Sequence, residues 1–418
     1  MHEQLQDITH LIAFGCLLLM LLTGIAHYSR RSRLPAEAWT LIIGLGAGLT
    51  AKFTAFDLTP YAVFSPGVIL VGILPLLIFA SGRKIRPAAL KGDALEISYL
   101  ALPGVVLTAV LFGWSMSWIL DIPLLPGLVL GAAIGASDPA AVVSIFQRFG
   151  LPERLNLIVE GESLFNDGTT VVVFSVITGL ALEGGVFNLF HTLGGLGWAV
   201  LAAIPIGLLL GRLGAEILRI WHEHHIFFTT SMSIILAYGS FILAEEFLRV
   251  SGVICVLMAA LMYAHSWQSA APDKQTTDKV MIMGSFWDYI AQTLTGFLFF
   301  MLGVAVGTHE FVVTLWSMMA AVFLLFLSRM IIVYGGFGIL RIFRIKLSLF
   351  WQTTIMLSGL RGPVSAALIL TLPESFPYKG EFQCLAFVVI TASLILQPLL
   401  IQALLHKASA AEHRQVQD

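Results

Sequence analysis

Apolar stretches of about twenty residues alternate with short polar joints along almost the whole chain, and twenty residues is the helix length that crosses the hydrocarbon of a bilayer. Thirteen stretches stand out, centred on residues 8–28, 39–56, 63–82, 94–118, 125–147, 155–182, 190–220, 228–247, 251–268, 285–306, 311–340, 349–373 and 381–406. Each is predicted to be a helix, because backbone surrounded by lipid must satisfy its own hydrogen bonds. The joints differ in charge. Alternate ones carry the basic residues, among them Arg30, Arg31 and Arg33, then Arg83, Lys84, Arg86 and Lys91, and later Arg341, Arg344 and Lys346. The opposite joints hold only Arg249 and Lys379, with Asp57, Asp121, Glu183, Glu245 and Glu310 among them. Cytoplasmic joints collect Lys and Arg, so the N-terminus is expected outside and the C-terminus in the cytoplasm.

Composition agrees with a polytopic membrane protein. Hydrophobic residues make up 58% of the 418 positions and charged residues 11%, against about 25% charged in soluble domains. No polar block is long enough to be a separate soluble domain, so residues 1–418 are expected to form one transmembrane unit with 407–418 as a short cytoplasmic tail. The net charge of −2 gives no reason to expect nucleic acid. Cys16, Cys255 and Cys384 are far apart in apolar runs and suggest neither a disulfide framework nor a metal knuckle. Met1–His10 lacks a basic n-region, so no cleaved signal is expected.

Against that apolar background the charged residues at mid-depth are the informative ones. At about 1.5 Å of rise per residue, Ser137 and Asp138 of the fifth stretch, Asp167 of the sixth, Arg329 of the eleventh and Arg361 of the twelfth reach one plane. Glu162 lies close by. On insertion scales Asp138, Glu162, Asp167, Arg329 and Arg361 together cost about 12–17 kcal/mol at that depth. They must therefore face a shared polar interior. Three carboxylates against two guanidiniums leave one surplus negative charge, which a single cation or a single proton would neutralise. Burial favours the neutral form of a carboxylic acid and a neighbouring guanidinium the charged form, so such a group can be poised between the two ligands. The hydroxyls of Ser137 and Ser163, the amide of Asn166 and the carboxylate of Asp167 are hard oxygen donors, suited to a monovalent cation rather than a transition metal. Ser163, Asn166 and Asp167 stand at i, i+3 and i+4, on one side of a helix.

Two stretches are interrupted where these residues fall. Gly135-Ala136-Ser137-Asp138-Pro139 places a proline that cannot donate after a residue it disfavours in a helix. Asp138 is then expected to cap a second half-helix. Ser358-Gly359-Leu360-Arg361-Gly362-Pro363 repeats the interruption seven stretches later, with Arg361 placed to face the carbonyl end of the first half-helix of its own stretch. Paired broken helices of this kind are the mark of an inverted repeat with a midplane site, stretches one to six and eight to thirteen forming the halves.

The residues Ser137-Asp138-Pro139, Gly161-Glu162-Ser163-Leu164-Phe165-Asn166-Asp167, Ser328-Arg329 and Gly359-Leu360-Arg361-Gly362 resemble, in this order, the sodium/proton exchangers of the cation:proton antiporter superfamily, in particular the NhaP branch. Leu74-Pro75-Leu76-Leu77-Ile78-Phe79 and Phe286-Trp287 are weaker echoes. The resemblance implies an all-α fold of about thirteen transmembrane helices, with a six-helix core, a dimerisation domain and broken helices crossing in stretches five and twelve. It implies a homodimer in the cell (inner) membrane that exchanges Na⁺, with Li⁺ or K⁺ as alternatives, for H⁺ and needs no cofactor. Asp167 would be the exchanging carboxylate that binds the monovalent cation, with Asn166, Ser163 and Ser137 lining the site and Asp138 beside the crossing. Glu162 would pair with Arg329, and Arg361 with Pro139 would support the broken helices. Asn166 before Asp167 matches the electroneutral branch. Ser137 replaces the usual Thr, and Phe79-Ala80-Ser81-Gly82 lacks an acid that many eukaryotic exchangers carry there.

Plainer readings stand beside these. Asp138 can be a helix cap alone, Glu162 with Arg329 a register-fixing ion pair, Asn166 a bridge between helices and Glu160 a vestibule charge. The run His222-Glu223-His224-His225 lacks the spacing of a zinc protease and reads as a solvated loop or a proton-sensing patch. Another inverted-repeat carrier, such as a potassium/proton antiporter, shares the logic of the site. An intramembrane hydrolase using Ser163 would need a midplane His or Lys as base, and no stretch has one.

Overall fold

The computed structural model describes residues 2–29, 31–32, 34–53, 66–85, 87–183, 189–220, 226–268, 274–308, 313–343 and 347–415. All thirteen apolar stretches contain helix in these residues. Among the described residues, eight helices are each long and apolar enough to cross a membrane, and Val68–Gly82, Leu124–Ala133 and Gly252–Ser266 are shorter apolar helices. The chain is a multi-pass, all-α membrane protein. In order, the main helices are α1 (His2–Ser29), α2 (Ala36–Phe53), α3 (Leu74–Gly82), α4 (Ala94–Ala101), α5 (Pro103–Leu120), α6 (Leu124–Ala133), α7 (Ala140–Arg148) and α8 (Glu153–Glu183). There follow α9 (Leu189–Ile220), α10 (Ile226–Ile242), α11 (Gly252–Gln268), α12 (Lys274–Thr308), α13 (Leu315–Met330), α14 (Leu349–Leu357), α15 (Pro363–Leu370) and α16 (Lys379–Gln415). α16 carries helix through Gln415, into the residues expected to form the tail. The His222–His225 run lies outside the described residues.

Prolines and small residues shape these helices. Pro103 divides the fourth stretch into α4 and α5, as expected where a ring removes a donor and crowds the preceding turn. Gly44 and Gly48 of α2 lie against Gly303 and Gly307 of α12, so close that a Cβ on Gly307 would stand 2.6 Å from the Leu45 carbonyl oxygen. Small residues four apart let lipid-embedded helices meet backbone to backbone. Gly207 and Gly211 of α9 approach Cys255 and Ala259 of α11 in the same way. The outer faces remain apolar and exposed, with Phe53, Trp118 and Phe323 among their large side chains.

Widened turns inside helices release a carbonyl that must find another donor. In the turn Val68–Ile73 the Gly72 carbonyl accepts from the Tyr238 hydroxyl at 2.8 Å. In Ile331–Gly335 the Ile332 carbonyl accepts from Tyr99 at 2.9 Å. The Tyr99 ring lies where a Cβ on Gly336 would be. Both irregularities are thus tied down by tyrosines from neighbouring helices.

Packing divides the helices into two groups. α4 to α8 and α13 to α16 contact one another extensively, while α1, α2 and α12 pack together and α9 to α11 join them with α3. A cavity lies along the seam between the groups.

Candidate functional site

The two interrupted stretches cross where the sequence breaks them. α6 ends at Ala133, α7 begins at Ala140, and the extended link between them runs antiparallel to the link between α14 and α15. Ser137 and Arg361 form a bridge of paired backbone, and the Asp138 N–H donates to the Leu360 carbonyl at 2.7 Å. Two half-helix ends are left with unsatisfied carbonyls at such a break. Arg361 Nη1 donates to the Gly135 carbonyl at 2.9 Å, and the Ser365 hydroxyl donates to the Ala136 carbonyl at 3.2 Å. Arg361 therefore neutralises the end of the other broken helix, whereas a reading of its own stretch alone points it at α14. The link is also held from α16, where the Ser393 hydroxyl accepts the Arg361 N–H at 3.1 Å. Asp138 accepts the Ala140 N–H at 2.9 Å, the capping contact expected at the start of α7.

α8 presents different residues to different neighbours, since successive positions turn by about 100°. Glu160, Ser163, Leu164 and Asp167 line a cavity of about 470 Å³ together with Asp138, Pro139, Glu37 and Ser81. Its further walls are Lys84 and, on α12, Asp288, Gln292 and Thr295. Asn166 points away from this space. Its amide nitrogen donates to the Ser137 hydroxyl at 2.9 Å, and its oxygen accepts from Thr170 at 3.2 Å. The Ser163 hydroxyl donates to the Ser137 carbonyl. Ser137 and Asn166 thus stand one layer behind Asp167 and bind α8 to the crossing, while Asp167 and Asp138 are among the carboxylates that reach the cavity. Among the described residues no Lys, Arg or His lies within ion-pair distance of Asp167.

Glu162 turns to another side. Its two carboxylate oxygens receive both terminal nitrogens of Arg329, Nη2 at 2.8 Å, and Nη2 also donates to the Ile355 carbonyl at 3.2 Å. Both side chains are buried. The guanidinium crosses Gly359 so closely that a Cβ there would stand 2.9 Å from Nε. This pair joins α8, α13 and the α14 side of the break, away from the cavity.

These placements revise the charge count. Three carboxylates and two guanidiniums do not share one interior, because Arg329 is committed to Glu162 and Arg361 to backbone carbonyls. The cavity instead gathers Glu37, Asp138, Glu160 and Asp167, with Lys84 3.2 Å from Asp288 and Arg83 2.6 Å from the same acid. Glu37 was invisible to a reading of stretches because it lies in the first turn of α2, at the edge of a basic joint. The available signal was an acid placed among Arg30, Arg31 and Arg33. Thr170 was discoverable as the i+4 neighbour of Asn166; Ser365 and Ser393 had no sequence signal, being polar contacts between distant segments.

The chain matches the family model described as sodium/hydrogen exchanger, transmembrane, over residues 17–407. The Na(+)/H(+) antiporter NhaG of Bacillus atrophaeus is 30% identical over 418 residues, spanning 96% of this chain and 76% of the relative. The Na(+)/H(+) antiporter NhaH of Halobacillus dabanensis is 29% identical over 405 residues, spanning 94% of this chain and 96% of the relative. The fold is similar to that of the sodium proton antiporter MjNhaP1 from Methanocaldococcus jannaschii at pH 8, with a TM-score of 0.79 at 22% identity, covering 96% of this chain and 99% of that one.

Proposed function

Because this chain belongs to the sodium/hydrogen exchanger family, we propose that it exchanges a monovalent cation, Na⁺ foremost, for a proton, and that Asp167 carries the two in turn. The observation that supports this most directly is the position of Asp167. It stands on the cavity wall beside the helix crossing, with no basic partner among the described residues. A carboxylate so placed must take either a cation or a proton when water leaves the cavity, since an isolated buried charge is costly. Competition between those two ligands for one group is exchange.

The neighbouring groups assist without carrying the proton themselves. Asp138 and the Ser163 side of α8 supply oxygen around the cavity, and Asn166 with Ser137 sets the height of Asp167 against the crossing. Asp167 is the one acid of the Asn166-Asp167 pair, and a neutral partner there supports an electroneutral exchange of one cation for one proton. Helices α4 to α8 and α13 to α16 form the core that moves in alternating access, against a second bundle that joins two copies in a homodimer. The chain crosses the cell membrane thirteen times with its N-terminus outside. That orientation makes the Lys84 mouth of the cavity cytoplasmic, and so an inward opening.

Proton flux in proteoliposomes, with Na⁺, Li⁺ or K⁺ supplied in turn and with or without an imposed potential, tests the proposal. Na⁺-dependent flux that vanishes in Asp167→Asn and ignores the potential is the expected result. Flux retained in Asp167→Asn overturns the assignment of that residue. A rate that follows the potential overturns electroneutrality, and flux with K⁺ alone makes the protein a potassium/proton antiporter.

A further inference from the structure

Glu37 belongs to neither the crossing nor α8, yet its side chain lines the same cavity as Asp138 and Asp167. It also lines a second space of about 270 Å³ between α1, α2 and α12, together with Thr40, Tyr289 and Thr293. Gln292 and Thr295 of α12 line both spaces. Glu37 is therefore on the wall between two compartments, in a track of hydroxyl, amide and carboxylate oxygens. Among the described residues no basic side chain pairs with it, and Lys84, which lines the same cavity, and Arg83 both reach Asp288.

An acid in the first turn of a helix is often there for the helix dipole alone. Two features separate Glu37 from that case. Its carboxylate is turned into the cavity that holds Asp167 rather than to the open surface. Its helix is also locked to α12 through Gly44, Gly48, Gly303 and Gly307, so Glu37, Gln292 and Thr295 form one rigid wall. Asp138 and Asp167 belong to the other group of helices. If the two groups move relative to each other, Glu37 faces the crossing only while the cavity opens on the Lys84 side.

We propose that Glu37 is a cation-docking carboxylate that sets the affinity for the transported cation on this side of the membrane alone. A cation arriving through the Lys84 mouth is held between Glu37 and the oxygens of Gln292 and Thr295 before passing to Asp167. Glu37 contributes attraction rather than turnover, because the exchanging group is Asp167. The inference rests on the exchange function proposed above.

The test is Na⁺-dependent proton flux measured separately from each face, in oriented proteoliposomes, for the wild type, Glu37→Gln and Glu37→Asp. Glu37→Gln keeps the shape and removes the charge. It is expected to raise KM for Na⁺ at the Lys84 face about three- to tenfold, the scale of one charge in a partly hydrated cleft, with kcat and the opposite face unchanged. Glu37→Asp is expected to restore most of the affinity. Equal KM for wild type and Glu37→Gln overturns the inference, as does a loss in kcat alone or an equal rise in KM at both faces. Absence of cation-dependent flux in the wild type would instead refute the exchange function itself.

Discussion

Arg329→Gln strands Glu162, and the structure allows the cost to be worked out. Glu162 is 1% exposed and Arg329 7%, so no water replaces the guanidinium that binds both carboxylate oxygens. Breaking one side of a buried ion pair costs about 3–5 kcal/mol. An unfolding entropy of about 2.1 cal/mol/K per residue, applied to 418 residues, corresponds to about 0.9 kcal/mol per degree. The melting temperature should therefore fall by about 3–6 °C, a shift read by tryptophan fluorescence on protein purified in detergent. The charge arithmetic makes a second demand. Adding Glu162→Gln to Arg329→Gln removes the stranded carboxylate, and neutral partners of similar size should recover most of the loss, since the intact pair contributes little net stability over such a replacement. A single variant that melts within about a degree of the wild type would refute the reasoning. So would a double variant that melts below the single one, because the penalty would then lie in lost packing and not in an unpaired charge.

Three further outcomes follow from named contacts. Gly359→Ala places a Cβ 2.9 Å from Arg329 Nε and should cost about 1–3 kcal/mol; the loss should be less than additive with Arg329→Gln in a thermal double-variant cycle. Arg361→Gln removes the donor to the Gly135 carbonyl and should destabilise the crossing by about 1.5–3 kcal/mol, measured as a lower melting temperature with flux reduced at every Na⁺ concentration. Gly303→Ala drives a Cβ to 2.6 Å from the Leu45 backbone nitrogen, so α2 must separate from α12. A lower melting temperature is expected, and an unchanged one would show that the two helices are not locked.

Much of this protein could be read before its tertiary structure. Helix class follows from apolar length, because lipid leaves the backbone no other partner. The two breaks follow from Pro139 and Pro363, whose rings forbid the preceding turn from continuing. The contact of Asp138 with the start of α7 follows from its place before a proline and a new helix.

Rotation and partnership were decided only by packing. Position along a helix sets depth, but which way a side chain points relative to other helices depends on contacts between segments far apart in the chain. Asn166 and Asp167 are neighbours in sequence, and one faces the crossing while the other faces the cavity. Arg361 serves the end of α6, more than two hundred residues away, because the two links run antiparallel there. Glu37 lines the cavity from α2, a helix that glycines bring to backbone distance of α12. The sequence by itself determined which charges lie within apolar stretches of membrane length; the tertiary structure alone decided which were neutralised and which were left facing the cavity.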